Sequence, residues 1–239
     1  MHRSHRRWYS PRLHREMELL VFGWGGARVL VFPTSMGRFY EWEDRGMIAA
    51  LAGPLQRGEV QLFCVDSVDV ESWYCDGKSP HDRAVRQTQY DLYCCDEVLP
   101  LSRGINSNPF CMTLGASFGA YHAINFAYRH PEVVGRAVGL SGLYDIQNFA
   151  GGENHGDIYF NNPIAFVAAE PEGPRLDAMR RLETVLAVGE HDKLCDVNRR
   201  FAEVLWGRRI PAALRIWGGL AHDWPDWTRM LHLYLAGAD

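Results

Sequence analysis

The sequence predicts an α/β fold: a mostly parallel central sheet, helices on both faces, and an antiparallel hairpin on its N-terminal side. Three observations predict it. Short, continuously apolar runs alternate with longer amphipathic segments, the pattern of strands buried on both faces and joined through helices. Two apolar runs near the N-terminus are separated only by a glycine-rich turn, which suits a hairpin. A third run passes straight into a helical pattern through Gly115-Ala116-Ser117-Phe118-Gly119.

The first fifteen residues, MHRSHRRWYSPRLHR, hold five arginines and three histidines and read as a basic surface arm. No apolar core or small-residue cleavage site follows, so a secretion signal is not expected. The runs EMELLVFG and ARVLVFPT are the strands of the expected hairpin, turned by GWGGA. That turn resembles part of a dinucleotide fingerprint, but a fingerprint must open a helix and here a strand follows. A helix is expected in EDRGMIAALAGPL, a buried strand in VQLFCVDS, and a long helix within HDRAVRQTQYDLYCCDEVLPL.

FCMTLG is the strand that leads to Ser117. The helix after it repeats Ala120, Ile124, Ala127 and Tyr128 at three- and four-residue spacing, a buried stripe. It must stop at His130-Pro131, because proline disfavours helical geometry in the residue before it. Later strands are GRAVGLSG, TVLAVGE and PAALRIWGG, with helices in DVNRRFAEVLWGRR and WPDWTRMLHLYLA. Between about 145 and 180 the pattern breaks into Gly, Pro, Asn and aromatics, a loop-rich insertion within a single domain spanning 1–239.

Composition narrows the functional classes. A chain of 239 residues, 47% hydrophobic and 23% charged, is an ordinary globular one. A net charge of −4 gives no overall pull toward nucleic acid or an anionic membrane. No apolar stretch approaches the ~20 residues a bilayer span needs. The six cysteines show no regular spacing and read as reduced thiols, with Cys64 and Cys111 as core residues. Reduced thiols point to the cytoplasm. Self-association is left open.

Ser117 carries the chemistry. A serine hydroxyl is a weak nucleophile, so it must be presented to substrate and set against a base. A sharp strand-to-helix turn lifts the side chain above the sheet, and small residues two positions either side let strand and helix pass closely. A helix-capping serine also fits the pentapeptide, but the flanking strand and helix favour the nucleophile. The base and its orienting acid are expected in the order Ser, Asp/Glu, His. Among ten histidines, His222 lies in a loop between the last strand and the last helix; His232 falls inside that helix, and His191 adjoins the acid candidate. Asp192 follows a strand end, Asp145 is the fallback, and Asp196 is read as a helix cap.

An oxyanion hole is expected from the Phe118 N–H and from the loop in VLVFPTSMGRFYEW, through Met36 N–H with Ser35 next. Ser35, Trp42, Trp73 and Phe160, with Phe39, Tyr40 and Tyr74, are candidates for an apolar acyl pocket; core packing explains those aromatics equally well. Asp223 is expected to serve the last helix's N-terminus. No helical HExxH or cysteine pair suggests a metal, and no cofactor is called for.

PTSMG, GASFGAYHA, YFNNP, GEHD and AHDWPDW together resemble the α/β-hydrolase superfamily. Within it, they are similar to the esterase family that includes S-formylglutathione hydrolase (esterase D), feruloyl esterases and mycolyltransferases. The resemblance runs from about residue 16 to 235. It implies an α/β-hydrolase core with Ser117, Asp192 and His222 as a catalytic triad, and a small-molecule ester as substrate. Cleavage of a carboxylic ester through an acyl-enzyme is the expected reaction. An acyltransferase using the same triad, or a non-catalytic binding protein on this fold, are the alternatives.

Overall fold

A computed structural model describes residues 2–235. Its centre is one eight-stranded sheet in the order β1-β2-β4-β3-β5-β6-β7-β8. The strands are β1 (Arg3–Ser10), β2 (Arg15–Phe22), β3 (Ala27–Phe32), β4 (Val60–Val65), β5 (Cys111–Ala116), β6 (Arg136–Leu140), β7 (Glu183–Gly189) and β8 (Ala212–Trp217). β1 pairs antiparallel with β2, and β2 antiparallel with β4; every later pairing is parallel.

The apolar runs are continuous because both faces are covered. Successive side chains of a strand point to opposite faces. Leu19, Val21, Leu30, Phe32, Phe63 and Val65 therefore enter one core. Their neighbours Leu20, Phe22, Val29, Val31, Leu62 and Cys64 enter the other. Helices Pro80–Tyr93, Phe118–Arg129 and Cys195–Gly207 cover the first face, and helix Trp224–Tyr234 the second.

The hairpin exists, but its partners differ from those expected. β2 and β3 do not pair, because β4 lies between them. Gly23 to Gly26 step over the start of β4: the Ala27 N–H donates to Glu59 O (2.9 Å), and a Cβ on Gly26 would sit 2.1 Å from that same oxygen. The hairpin partner of β2 is the basic arm itself, β1. Its charge is matched across the strands, with Arg7 on Glu16 (3.1 Å), His5 on Glu18 (3.1 Å) and Arg3 reaching Glu43 (2.7 Å). Charged side chains also suit an edge strand, where they oppose pairing with another sheet.

Three further differences are local. The helical stretch after β3 is cut into Glu41–Asp44, Met47–Ala50 and Ala52–Arg57, with Gly46 at φ +76° as the first break. The helix Phe118–Arg129 is buried all round from Phe118 to Tyr128 instead of along one stripe. The 145–180 segment carries four short helices, Gln147–Ala150, Gly156–Phe160, Pro163–Ala169 and Pro174–Met179. All six cysteines are free, with Cys64, Cys94, Cys111 and Cys195 buried. No helix among the described residues is long and apolar enough to cross a membrane.

Candidate active site

Parallel strands deliver their loops to one edge of the sheet, the edge where open α/β sheets bind ligands. Ser117 directly follows β5, at φ +54° and ψ −122°. A side-chain-bearing residue is rarely held there, and the strain is sustained by close packing on both sides. A Cβ on Gly115 would lie 2.0 Å from Gly119 O, and one on Gly119 2.4 Å from Pro33 O. Both small-residue requirements read from the sequence are therefore steric facts of the fold. The turn leaves the hydroxyl at the start of helix Phe118–Arg129, whose first N–H groups have no intrahelical acceptor.

Asp192 lies beyond the end of β7. Its side chain is 1% exposed. One carboxylate oxygen accepts the Leu194 N–H (2.9 Å), and the other is 2.7 Å from His222 Nδ1. Burial pushes the carboxyl pKa up, but the bonds from His222 and the Leu194 N–H help outweigh burial and hold it below the usual value. The group stays ionised.

His222 Nε2 is 3.2 Å from Ser117 Oγ. The loop that carries this histidine is held at several points. A Cβ on Gly189 would be 1.9 Å from Leu220 O, so the loop runs directly over the end of β7. His191 N–H donates to Gly219 O (3.0 Å), and Ala221 sits at φ +44°. The Ser141 hydroxyl donates to Ala221 O (3.1 Å) and accepts from Trp227 Nε1 (3.1 Å). Trp227 in turn meets the imidazole edge-on, centroids 5.2 Å apart. Asp223 caps the last helix by accepting the Trp224 N–H (2.7 Å), as its position suggested.

The remaining candidates separate cleanly. Asp145 is held by Asn162 (3.3 Å) and Arg200 (3.3 Å), away from the imidazole. His191 is a surface side chain beside Glu190, and His232 faces outward on the last helix. Asp196 lies in the first turn of its helix and Leu194 occupies the cap position.

Met36 is corrected. Its N–H donates to Asp69 Oδ2 (2.8 Å), so that donor is already taken. Asp69 is wholly buried, and its other oxygen meets His122 Nε2 at 2.8 Å. The carboxylate thus ties the loop after β3 to the helix that begins at Ser117. Nothing in the local sequence singles out this pair, because Asp69 and His122 meet only in three dimensions.

A cleft of about 400 Å³ opens over Ser117 and His222. Ser35 and Tyr74 line it, with the Ser35 hydroxyl and Tyr74 hydroxyl 2.8 Å apart. Tyr74, Phe118 and Phe149 pack edge to face as its aromatic wall, centroids 5.0 to 5.6 Å apart. Three expected pocket residues lie elsewhere. Trp42 is in the core beneath the last helix, Trp73 is buried with its Nε1 donating to Tyr121 (2.9 Å), and Phe160 is exposed on the insertion. Trp42 and Trp73 were drawn into the core as large apolar side chains usually are, which is why their type alone did not mark the cleft.

A family model described as Putative esterase matches residues 42–236. The chain belongs to that family. It is accordingly an enzyme, a carboxylic-ester hydrolase acting on small-molecule esters. Solved structures agree in fold at low identity. A ferulic acid esterase superposes with a TM-score of 0.79 at 17% identity, over 99% of this chain and 97% of the other. An S-formylglutathione hydrolase from Agrobacterium tumefaciens gives 0.73 at 15%, over 98% and 94%. A fluorophosphonate-binding serine hydrolase of Staphylococcus aureus gives 0.67 at 17%, over 96% and 95%. No curated protein matches the sequence. The architecture is the α/β-hydrolase fold, and it spans the esterase's described residues.

Proposed function

We propose that this esterase is a serine hydrolase in which Ser117, His222 and Asp192 form a catalytic triad working through an acyl-enzyme. The observation that carries the reading is the unbroken contact chain from Ser117 Oγ to His222 Nε2 (3.2 Å) and from His222 Nδ1 to Asp192 Oδ2 (2.7 Å). An ionised Asp192 requires the ring proton on Nδ1, which leaves Nε2 free to accept the serine proton. Ser117 Oγ then bonds to the ester carbonyl carbon, and the carbonyl oxygen becomes negative. His222 passes the proton to the leaving alcohol as the C–O bond breaks. Water, deprotonated by the same imidazole, attacks the acyl-serine, and His222 returns the proton to Ser117 Oγ as its bond to carbon breaks and the acid leaves.

The oxyanion is stabilised by the Phe118 N–H at the helix start and by the Ser35 N–H. Ser35 replaces Met36 in this role because it lines the cleft, whereas the Met36 N–H is bound to Asp69. Donors fixed in place before the reaction act on the charge as it develops without reorganising.

Ser117→Ala tests the reading. The variant should fold with an unchanged melting curve and lose turnover of 4-nitrophenyl butyrate by at least about 10³-fold. Wild type should be labelled at Ser117 by a fluorophosphonate. Wild-type-like turnover by the variant, or labelling elsewhere, removes the assignment.

A further inference from the structure

The cleft over Ser117 has an uneven charge. The protein as a whole is acidic, at −4. Yet no aspartate or glutamate lines the cleft, and its one formally charged lining residue is Lys193. Among the described residues, no hydrogen bond or ion pair engages the Lys193 ammonium, and none engages the amide of Asn148 on the same lining. The other polar groups are already committed: Tyr74 to Ser35, and His222 to Asp192 and Ser117.

Neighbouring carboxylates do not neutralise the lysine. Asp192 precedes it in sequence, but its side chain is buried and both oxygens are engaged, by His222 and the Leu194 N–H. Asp145 is held by Arg200 and Asn162. The turn carrying Lys193 is itself fixed, since the Cys195 N–H donates to Asp192 O (2.9 Å) as the Leu194 N–H does to the side chain. A backbone that sets the histidine's partner therefore also sets the root of the cation. Tyr74, Phe118 and Phe149 give the same cleft an apolar wall, so the lysine is its one source of full charge.

We infer that the preferred substrates are esters bearing a carboxylate, recognised by the Lys193 ammonium with the Asn148 amide as a second donor. The inference rests on the serine-esterase reading above and adds the substrate class. A lysine suits this task as a point charge on a flexible stem, able to meet an anion without one fixed geometry. An interaction of this kind at a solvent-accessible rim is worth up to ~1 kcal/mol, or about five-fold in specificity.

Two pairs of esters test it. In the first, 4-nitrophenyl glutarate is compared with 4-nitrophenyl pentanoate, placing the charge on the acyl part. In the second, 3-carboxyphenyl butyrate is compared with 3-methylphenyl butyrate, placing it on the alcohol. Each kcat/KM is divided by the ester's uncatalysed rate. In at least one pair, wild type should favour the charged member. Lys193→Gln should lower that charged-to-neutral ratio about five-fold, and Lys193→Glu should invert it. Raising salt from 0.02 to 0.5 M should shrink the wild-type ratio, since screening weakens exposed charge pairs.

Wild type with no preference in either pair overturns the inference, as does a preference that survives Lys193→Glu. In both cases turnover of the neutral esters, lost in Ser117→Ala, leaves the esterase reading standing. Failure of all four esters would instead strike the esterase reading, and the inference with it.

Discussion

Gly119→Ala is a small change with a large expected effect. A Cβ at that position would fall 2.4 Å from Pro33 O and 2.5 Å from Phe32 O. Both are backbone atoms at the end of β3, so no rotamer change relieves the contact. Each distance is roughly 1 Å short of van der Waals separation, and helix or loop must move apart by about that much. The loop so displaced carries Ser35, while the helix carries Phe118, so the two proposed oxyanion donors separate. An ~1 Å misplacement costs on the order of 10²-fold in rate, and loss of one such donor 10²–10³-fold. Because the oxyanion exists only in the transition state, kcat and kcat/KM should fall together, with KM little changed. The assay is steady-state hydrolysis of 4-nitrophenyl butyrate beside a thermal melt. Alanine is intrinsically the better helix former by about 1 kcal/mol, so propensity offsets part of the strain. A folded variant with kcat within about three-fold of wild type would refute the argument that this contact sets the oxyanion geometry.

Other substitutions separate stability from chemistry. Asp69→Ala should destabilise the fold by about 1–3 kcal/mol in urea denaturation, because it leaves the buried His122 Nε2 and the Met36 N–H without their acceptor. Asp192→Asn should cut kcat by about 10³–10⁴-fold through the wrong histidine tautomer. The carboxyl pKa of Asp192 is lowered in the folded state, so its stabilisation is full above the unfolded value, about 3.9, and is lost as pH falls through the lower folded one. Melting temperatures of wild type and Asp192→Asn should therefore converge only below about pH 4. His130 behaves oppositely. Burial opposes its charge, but Asp91 at 3.0 Å and Cys95 at 3.8 Å push its pKa up to about 10. That stabilisation is full below the ordinary value, ~6.5, and is lost as pH rises through about 10, so the melting gap to His130→Gln should close across that interval.

Much of the site was legible because its chemistry forces a local pattern. The pentapeptide around Ser117 must be small two residues before and two residues after the serine, and the structure gives the reason as two backbone clashes. Asp192 and His222, picked out from chain order because each lies just past a strand end, come within 2.7 Å of each other in the fold. The donor at Met36 was misread because its N–H is captured by Asp69, 33 residues away in sequence. The pocket aromatics were read only in part, because residue type does not say whether a ring faces core or cleft: Tyr74 lines the cleft and Trp42 and Trp73 went inside, while Phe149, part of the wall, drew no notice. Ser141, which steadies the histidine loop from φ +53°, left only the weak signal of a serine after a strand.

Local composition by itself determined seven of the eight strands, most of the helices, the serine turn and the chain order of the candidate reacting groups, since periodicity and short-range sterics act within a few residues. Tertiary structure alone decided that the basic arm would become β1, that β4 would slip between β2 and β3, which donors would remain open above Ser117, and that an uncompensated lysine would face the cleft. Each of these depends on groups far apart in the chain competing for one partner, whether a strand edge, an N–H or a counter-charge, and that competition is resolved only when the whole sheet has closed.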